Sequence, residues 1–455
     1  MRSPCSNAAK ALESGNLMKR RDFLETFGGA ATAAALYGSG TLQTVQAAAR
    51  RTAHLSPEDA ATDESLWRDV QNAFSINRSL VNLDNANVCP SPRNVTEAMI
   101  HYTWELQDAP GVMLWNNLEP LLLTPRTGLA NLFGCDVEEV AIVRNATEAL
   151  DAILLGIELR PGDEILMTTH DYGAMHTAVD QRVRRDGIAV KKITDVPVPP
   201  KSMGELVEMY ERNITPKTRL ILVTHPVNYT GQLFPVKQIC EIAHRKGIEV
   251  VVDGAQSFAM IDYKLSDLDC DYFGTSLHKW LCAPIGTGMI YVRKDKIGKI
   301  NPLFPVFDFR DESFKNNILK FQDFGTYSVA MALAVSEALA FHNGTGAKRK
   351  EERLRYLTRY WASRVEKLPN VRFLTSFAPG MSCCLATFEI AGVDSNQLER
   401  ILGSRMIGVQ SMKNPRAPEI KGIRVTPNVY TTLDELDRFC DVIETVAKNG
   451  LPKSR

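Results

Sequence analysis

Two residues in the middle of the chain could form a reactive pair, because each follows a run typical of a buried strand. Asp253 ends the run Val250–Val252, which is too short for a helix and is β-branched throughout. Lys279 follows a second predicted strand, Tyr272–Ser276, and precedes the glycine-rich residues Pro284–Gly288. Open α/β sheets bind ligands at the carboxyl ends of their strands, so we expect the carboxylate and the amine to meet in a ligand site.

A carboxylate and a lysine at strand ends suit the chemistry of pyridoxal phosphate. The amine forms a Schiff base with the cofactor aldehyde. The carboxylate keeps the pyridine nitrogen protonated, so that the ring acts as an electron sink. The phosphate needs hydroxyls and backbone N–H groups, which a helix N-terminus supplies. The alternative is a plain strand end with a solvated lysine, and the combination of motifs argues against it.

The segment that contains this pair resembles the class V aminotransferase family of fold-type I pyridoxal phosphate enzymes, in particular its isopenicillin N epimerase-like branch. The resemblance rests on D-G-A-Q from Asp253, S-x-H-K-W from Ser276 and the G-x-G that follows. It implies that Lys279 is the Schiff-base lysine and that Asp253 is the partner of the pyridinium nitrogen. It also implies that Gln256 bonds the ring 3-oxygen and that Ser276 and His278 contact the phosphate.

Other motifs resemble further cofactor-binding segments of the same family. Ala146, Thr147 and Glu148 lie between a predicted strand and a predicted helix and match the phosphate-binding turn. The expected donors are the Thr147 hydroxyl and the backbone N–H groups of Thr147 and Glu148. Taken alone, this turn would be an ordinary helix N-cap. The resemblance further implies that Tyr172 stacks on the pyridine ring and that Asn228 reaches the ring oxygen and the substrate.

The resemblance also assigns residues to the substrate and to a second subunit. Asn85 lies in a segment that matches the family's substrate entrance, and Arg424 matches the arginine that clamps the substrate carboxylate. Thr326 lies in the stretch Phe321–Thr326, which opens a predicted long helix through Phe341, and it matches the loop that reaches the partner's phosphate. A homodimer with shared active sites is therefore implied. Near Arg424 the chain departs from the family pattern at Thr426, Asn428 and Thr431.

Strands and helices alternate through residues 140–292, which predicts a mainly parallel sheet with helices on both faces. The resemblance implies the fold-type I transferase fold, an α/β architecture. Its large cofactor-binding domain, residues 111–330, would hold a seven-stranded sheet. Residues 331–455 would form a small α/β domain, against which residues 48–110 would pack.

The N-terminus resembles a twin-arginine export signal. Arg20-Arg21 precede Phe23-Leu24 and an Ala/Gly-rich run, and small residues near Ala47 suit a signal peptidase. We therefore expect a signal peptide over residues 1–47 and a periplasmic enzyme, with a disordered basic tail as the alternative. Met18 is a second candidate for the start of translation.

Composition narrows the classes of function. The chain has 53 lysines and arginines and 53 aspartates and glutamates, so its formal net charge is zero. This balance gives no indication of a nucleic-acid partner, which a strong excess of basic residues would favour. No apolar run of transmembrane length follows the N-terminus, so we expect no stable membrane insertion after signal removal. The 9 cysteines are scattered along the chain and form no C-x-x-C pair, so no metal site is predicted.

The predicted reaction occurs at the α-carbon of an amino-acid-like substrate. Transamination, epimerisation and elimination share one carbanion, so the motifs do not choose among them. A lyase of the same fold is one alternative, and a non-catalytic binding protein is another, although the intact Lys279 argues against the latter. A desulfurase needs a loop cysteine before the substrate arginine. Residues 401–424 contain none, and Gln410 and Ser411 stand in that region.

Overall fold

The computed structural model describes residues 40–306 and 312–451. The strands are β1 (Val81–Asn82), β2 (Val140–Val143), β3 (Glu164–Thr168), β4 (Ala189–Ile193), β5 (Thr218–Thr224), β6 (Glu249–Asp253), β7 (Tyr272–Ser276), β8 (Gly288–Val292), β9 (Val371–Phe373), β10 (Ala386–Ile390), β11 (Ile407–Gly408), β12 (Gln410–Asn414) and β13 (Ala417–Val425).

The α-helices, in chain order, are α1 (Thr41–Arg51), α2 (Pro57–Ala61), α3 (Glu64–Gln71), α4 (Arg93–Asp108), α5 (Pro110–Val112), α6 (Leu123–Phe133), α7 (Ala146–Gly156), α8 (Gly173–Asp186), α9 (Met203–Asn213), α10 (Val236–Arg245), α11 (Glu312–Lys315), α12 (Ala330–Leu333), α13 (Val335–Thr345), α14 (Ala347–Val365), α15 (Ser395–Ser404) and α16 (Leu433–Asn449). A π-helical segment, Met113–Leu118, and short 3-10 segments connect some of them.

The large sheet has seven strands in the order β2-β8-β7-β6-β5-β3-β4. Strand β8 runs antiparallel to both of its neighbours, and the pairs β7–β6, β6–β5, β5–β3 and β3–β4 are parallel. This arrangement confirms the predicted mainly parallel, seven-stranded α/β fold. In the central register Asp253 pairs with Thr224 on one side and Gly274 on the other, so three strand ends meet at one edge.

Apolar side chains cover both faces of this sheet. In β6, Val250 and Val252 pack into one core cluster, while Val251 points into the other. Both faces are therefore buried under helices, which explains why the strand sequences are continuous apolar runs rather than alternating ones.

A smaller antiparallel sheet, in the order β12-β13-β10-β9, forms the second core. Trp361 of α14 is fully buried there. Its ring contacts Phe373, Phe388 and Phe439 at centroid distances of 5.7, 5.9 and 5.6 Å. Helices α14 and α16 thus cover one face of a small α/β unit. Asn414 of β12 donates from Nδ2 to the carbonyl of Thr169 at 2.8 Å, so the β12–β13 hairpin lies next to the large unit.

The N-terminal part joins both units. Strand β1 pairs in parallel with β11 of the small unit, whereas Val95 and Leu106 of α4 belong to the core of the large unit. Helix α1 crosses the predicted signal boundary at residue 47, and its Val45 and Ala48 are fully buried. The twin-arginine motif lies outside the described residues. No helix within residues 40–306 or 312–451 has the length and apolar character needed to cross a bilayer.

The predicted long helix from residue 321 to Phe341 was wrong in its first half. Residues 322–329 contain no helix, and α12 begins at Ala330. Gly325 has φ 98°, a left-handed conformation that interrupts a helix and that glycine adopts without strain. Helices α12 and α13 then contribute to the large core, so that core continues past the domain boundary predicted at residue 330.

Candidate active site

A cavity of about 590 Å³ lies at the carboxyl ends of the central strands. Its wall combines large-sheet strand ends, the start of α7, the N-terminal segment and strands β12 and β13 of the small unit. The predicted site residues on this wall are Ala146, Thr147, Tyr172, Asn228, Asp253, Gln256, Ser276, His278, Lys279 and Arg424. The structure therefore brings together residues from widely separated parts of the sequence.

Asp253 stands at the end of β6 and is 4% exposed. Its Oδ1 accepts a hydrogen bond from the backbone N–H of Ala255 at 3.0 Å, and its Oδ2 accepts none within the described residues. Burial raises the pKa of Asp253, while this backbone hydrogen bond and the charge of Lys279 oppose the rise. A cation at Oδ2 would stabilise the carboxylate.

Glycine is required next to this carboxylate. A Cβ on Gly254 would lie 1.9 Å from the ring of the fully buried Phe273, so the ring or the strand would have to move. The D-G of the motif is thus explained by the close packing of β6 against β7.

Lys279 lies in the turn after β7. Its Nζ has no hydrogen-bond or ion-pair partner in the part of the chain that the structure describes. Burial lowers the pKa of Lys279 to about 8, although the Asp253 carboxylate opposes this effect. Far more of this side chain than of an ordinary lysine is therefore the neutral amine, the nucleophilic form, close to neutral pH.

The start of α7 forms a partly occupied anion cradle. Asn145 caps the helix, since its Oδ1 accepts from the N–H of Glu148 at 2.9 Å. The N–H of Ala146 donates to Ser276 Oγ at 2.9 Å. The N–H and the hydroxyl of Thr147 have no partner in the described residues, so Thr147 keeps both of its predicted donors for a phosphate.

Glu148 was predicted to supply a backbone donor, but its N–H is engaged by the Asn145 cap. Its carboxylate accepts from the backbone N–H and from Nε and Nη2 of Arg144. Glu148 is also absent from the cavity wall. In this structure its role is to hold the strand-to-helix turn.

Gln256 is held by contacts at both ends of its amide. Its Nε2 donates to the carbonyl of Ala86 at 2.9 Å, and its Oε1 accepts from Nε1 of the buried Trp280 at 2.9 Å. One Nε2 hydrogen remains available to an oxygen in the cavity. The tryptophan of the S-x-H-K-W motif thus orients the glutamine of D-G-A-Q.

His278 donates from Nδ1 to the carbonyl of Thr287 at 3.0 Å. Its Nε2 is then an acceptor in the neutral ring. Burial lowers the pKa of His278, and the charge of Lys279 lowers it further. A phosphate dianion beside Nε2 would favour the protonated ring, whose Nε2–H could then donate to it.

Asn228 and Arg424 meet on the side of the cavity formed by the small unit. Nη1 of Arg424 donates to the carbonyl of Asn228 at 3.0 Å. The Oδ1 atom of Asn228 is buried and has no hydrogen-bond partner in the described part. An amide oxygen left unpaired in a cavity wall is costly unless a ligand or water satisfies it, so this atom marks a polar ligand contact.

Besides Glu148, two further predicted site residues do not line this cavity. Asn85 is fully buried. Its Nδ2 donates to the carbonyls of Asn82 and Thr426, and its Oδ1 accepts from the hydroxyl of Tyr430. Its amide therefore ties the N-terminal segment to the small unit. Thr326 is exposed and lies away from this wall.

Several residues on the cavity wall were not among the predicted site residues. The cavity is also lined by Ala86, Asn87, Met175, Thr224, Tyr229, Ile285, Gly286, Gln410, Ser411, Met412 and Lys413. The β12 residues had one signal in the sequence, since Gln410 and Ser411 stand where a desulfurase would need its cysteine. No cysteine is among the described residues that line the cavity.

The unsatisfied groups on this wall fit pyridoxal phosphate. A free amine at Lys279, a carboxylate oxygen at Asp253, an unpaired amide oxygen at Asn228 and the donors of Thr147 match the aldehyde, pyridinium, ring-oxygen and phosphate requirements of that cofactor. The fold and the site thus define a pyridoxal phosphate enzyme of the fold-type I class.

Comparison with known proteins gives the family. The model of the family "Aminotransferase class-V" matches residues 81–439, and the chain belongs to this family. It is 30% identical over 400 residues to isopenicillin N epimerase of Amycolatopsis lactamdurans, which covers 84% of this chain and 99% of that protein. A probable cysteine desulfurase of Halalkalibacterium halodurans is 28% identical and covers 68% of this chain and 77% of that protein.

Solved structures share the fold. A structure of C-DES with glycine covalently linked to its pyridoxal phosphate cofactor has a TM-score of 0.73 at 21% identity, and the match covers 82% of this chain and 98% of that chain. The family and these neighbours establish pyridoxal phosphate as the cofactor and an enzyme of this class.

Proposed function

We propose that this enzyme acts at the α-carbon of an amino acid or an amino-acid-derived amine, by aminotransferase or epimerase chemistry. The observation that carries the proposal is the unpaired Nζ of Lys279 in a cavity that also exposes Asp253 and Arg424. The similarity to an isopenicillin N epimerase over nearly its full length supports the same class of reaction.

Lys279 is the base in this proposal. When bound, pyridoxal phosphate supplies an electron sink for the pair left by the α-proton. The Lys279 amine would remove or return that proton, because it lies in the cavity that would hold the cofactor. Its pKa of about 8 suits a base that works near neutral pH.

Asp253 and the small unit complete the arrangement. The Asp253 carboxylate favours a proton on the pyridine nitrogen because opposite charges stabilise each other in a buried site. Arg424 would contact the carboxyl-derived end of the substrate. The 45% exposed Tyr172 leaves its ring face available for stacking at the cavity mouth.

A lyase that cleaves carbon–sulfur bonds is the second candidate, because cysteine desulfurases are among the similar proteins. A mechanism that transfers sulfur to an enzyme cysteine lacks its acceptor here, since the described wall contains Gln410 and Ser411 but no cysteine. A lyase that releases sulfur to solution does not need that residue.

One experiment separates these reactions. Purified holoenzyme is incubated in D₂O with a panel of L- and D-amino acids, their amides and short peptides. NMR follows α-deuterium uptake, chiral chromatography follows inversion, and assays for keto acids and sulfide follow the other products. Deuterium uptake with inversion, or a keto acid that keeps the side chain of the substrate, supports the proposal. Sulfide release with pyruvate and ammonia as the co-products would favour the lyase, and uptake unchanged in Lys279→Ala would contradict the role of the lysine.

We also propose a homodimer with shared active sites. Large apolar side chains are exposed on α4 to α6 and on α12, namely Ile100, Trp104, Val112, Trp115, Leu121, Leu123 and Met331. Met331 approaches the cavity rim, because its Sδ lies 3.5 Å from a Cβ built on Gly286. Such a surface favours association. Light scattering should give a dimer, and Trp104→Glu should dissociate it.

We propose, finally, that the enzyme is exported to the periplasm by the twin-arginine pathway. The motif Arg20-Arg21 supports this proposal. Because Val45 is buried within α1, a cut after Ala47 would sever a docked helix. Arg349 donates to the carbonyls of Ala49 and Thr52 near the end of that helix. We therefore place the end of the signal before Thr41.

A further inference from the structure

Nη2 of Arg424, which a carboxylate needs for a two-bond contact, already donates both of its hydrogens to protein side chains. Nη2 donates to Oδ1 of Asp84 at 2.8 Å and to Oε1 of Gln410 at 2.5 Å. Nη1 donates to the carbonyl of Asn228 at 3.0 Å. Arg424 itself is 2% exposed, so these partners replace water around it.

A carboxylate binds a guanidinium through two parallel hydrogen bonds. It can use Nη1 with Nη2, or Nε with Nη2, and both arrangements need a hydrogen of Nη2. In Arg424 both Nη2 hydrogens are taken, one by Asp84 and one by Gln410. Two single donors remain, the second hydrogen of Nη1 and the buried Nε–H, which has no partner in the described residues.

The charge of Arg424 is balanced as well. Asp84 forms an ion pair with it, and the side chain of Asp84 is 22% exposed. Asp84 is held in place by a backbone bridge to Thr426 and by the bond from its own N–H to Oδ1 of Asn82. A second carboxylate at Arg424 would compete with Asp84 for one buried cation, which like-charge repulsion disfavours. A neutral carbonyl oxygen would need only one of the remaining donors.

We infer that Asp84 and Gln410 determine substrate specificity by engaging Arg424, so that the site prefers an amine with an uncharged carbonyl over a free α-amino acid. This inference rests on the proposed function and names its substrate class. Amino-acid amides, esters and the N-terminal residue of a peptide belong to this class. The remaining N–H of Arg424 donates to the carbonyl oxygen of such a substrate.

Binding tests the inference without requiring turnover. Calorimetry on the holoenzyme compares matched pairs, each an amino acid and its amide with the same side chain. In every pair for which binding is detected, the wild type should bind the amide more tightly than the free amino acid. In Asp84→Asn the affinity for the free amino acid should rise roughly tenfold or more, as expected for a freed hydrogen bond between charged groups. The affinity for the amide should change by less than about threefold, which shows that the site is intact.

Asp394→Asn is the matched control. Asp394 pairs with Lys413, another cation on the cavity wall, at 3.8 Å. Asparagine keeps the N-cap that Asp394 provides to the N–H of Gln397. The control removes one negative charge near the cavity without touching Arg424, so it should leave the amide-to-acid ratio unchanged. An equal rise in acid affinity in both variants would mean a general charge effect and would overturn the inference.

The inference is also overturned if no pair in the panel shows tighter binding of the amide. This holds both when the free amino acids bind better and when neither compound of any pair binds. Gln410→Leu adds an independent variant, because it frees one Nη2 hydrogen while Asp84 stays. It should raise acid affinity by less than Asp84→Asn does. Failure of the proposed function has a different signature: amides bind preferentially, but no α-deuterium enters any of them.

Discussion

The hydroxyl of Ser276 accepts a hydrogen bond from the backbone N–H of Ala146 at 2.9 Å. This contact joins the end of β7 to the first turn of α7. Because Oγ accepts from Ala146, the hydroxyl proton of Ser276 is free to donate into the cavity. Ser276 therefore supports the anion cradle in two ways, by positioning the helix N-terminus and by offering a donor beside Thr147.

Ser276→Ala should weaken the binding of pyridoxal phosphate but not of pyridoxal, which lacks the phosphate. A lost hydrogen bond to a charged group is worth about 1.5–3 kcal/mol, or roughly ten- to a hundredfold in Kd. Titration of the apoenzyme with both compounds measures this difference. Thr177→Ala is a suitable control, because Thr177 is exposed and its hydroxyl donates to the carbonyl of Gly173 in the same helix. An equal loss for both compounds would point to a general packing defect.

The cofactor-binding rate of the apoenzyme should depend on pH through Lys279. Its pKa is lowered to about 8, and only the neutral amine attacks an aldehyde. The rate of covalent attachment should therefore rise as the pH increases through about 8 and level off above it. Stopped-flow absorbance from pH 6 to 10 gives the midpoint. A rise that begins only near the ordinary pKa of a lysine would show that the side chain is well solvated.

Asp253→Asn should preserve cofactor attachment and slow α-proton exchange. Asparagine can still accept from the N–H of Ala255, but it carries no charge to favour a proton on the pyridine nitrogen. By analogy with the removal of one oxyanion donor, we expect a loss of about 10²–10³-fold in exchange rate. Single-turnover exchange in D₂O measures it, and substrate affinity should fall much less. Equal rates in wild type and variant would make Asp253 a structural residue only.

The sheet and the lysine–carboxylate pair could be predicted because their signals are local. The apolar run Val250–Val252 predicts a strand that is buried on both faces. The strand order places Asp253 at the same edge of the sheet as Lys279. The other predicted residues among the ten on the cavity wall came from the resemblance of their motifs to the class V family.

The failures came from contacts between distant segments. Whether the Asn85 amide faces the cavity depends on Thr426 and Tyr430, which lie more than 300 positions away. The backbone N–H of Glu148 is not available to a phosphate because it donates to Oδ1 of Asn145, which caps the helix. A motif does not reveal that a neighbouring side chain competes with the ligand for this N–H. The ion pair between Asp84 and Arg424 likewise joins segments that lie 340 positions apart.

Export can be tested directly on the full chain. Replacing Arg20 and Arg21 together with lysine should retain the protein in the cytoplasm, because the twin-arginine pathway reads the paired arginines. Fractionation followed by immunodetection measures the distribution. A matched double substitution, Arg50→Lys with Arg51→Lys, keeps the same charge in α1 and should not change export. Unchanged periplasmic recovery from the first variant would count against the signal.

The residue that carries the covalently attached cofactor decides whether Lys279 is the Schiff-base lysine. Borohydride reduction of the holoenzyme fixes the bond between the cofactor and its lysine, and peptide mass spectrometry then locates it. We expect the added mass on Lys279 alone and no label in Lys279→Ala. Label on Lys350 or Lys413, or an unchanged level of label in the variant, would contradict the assignment of the active site.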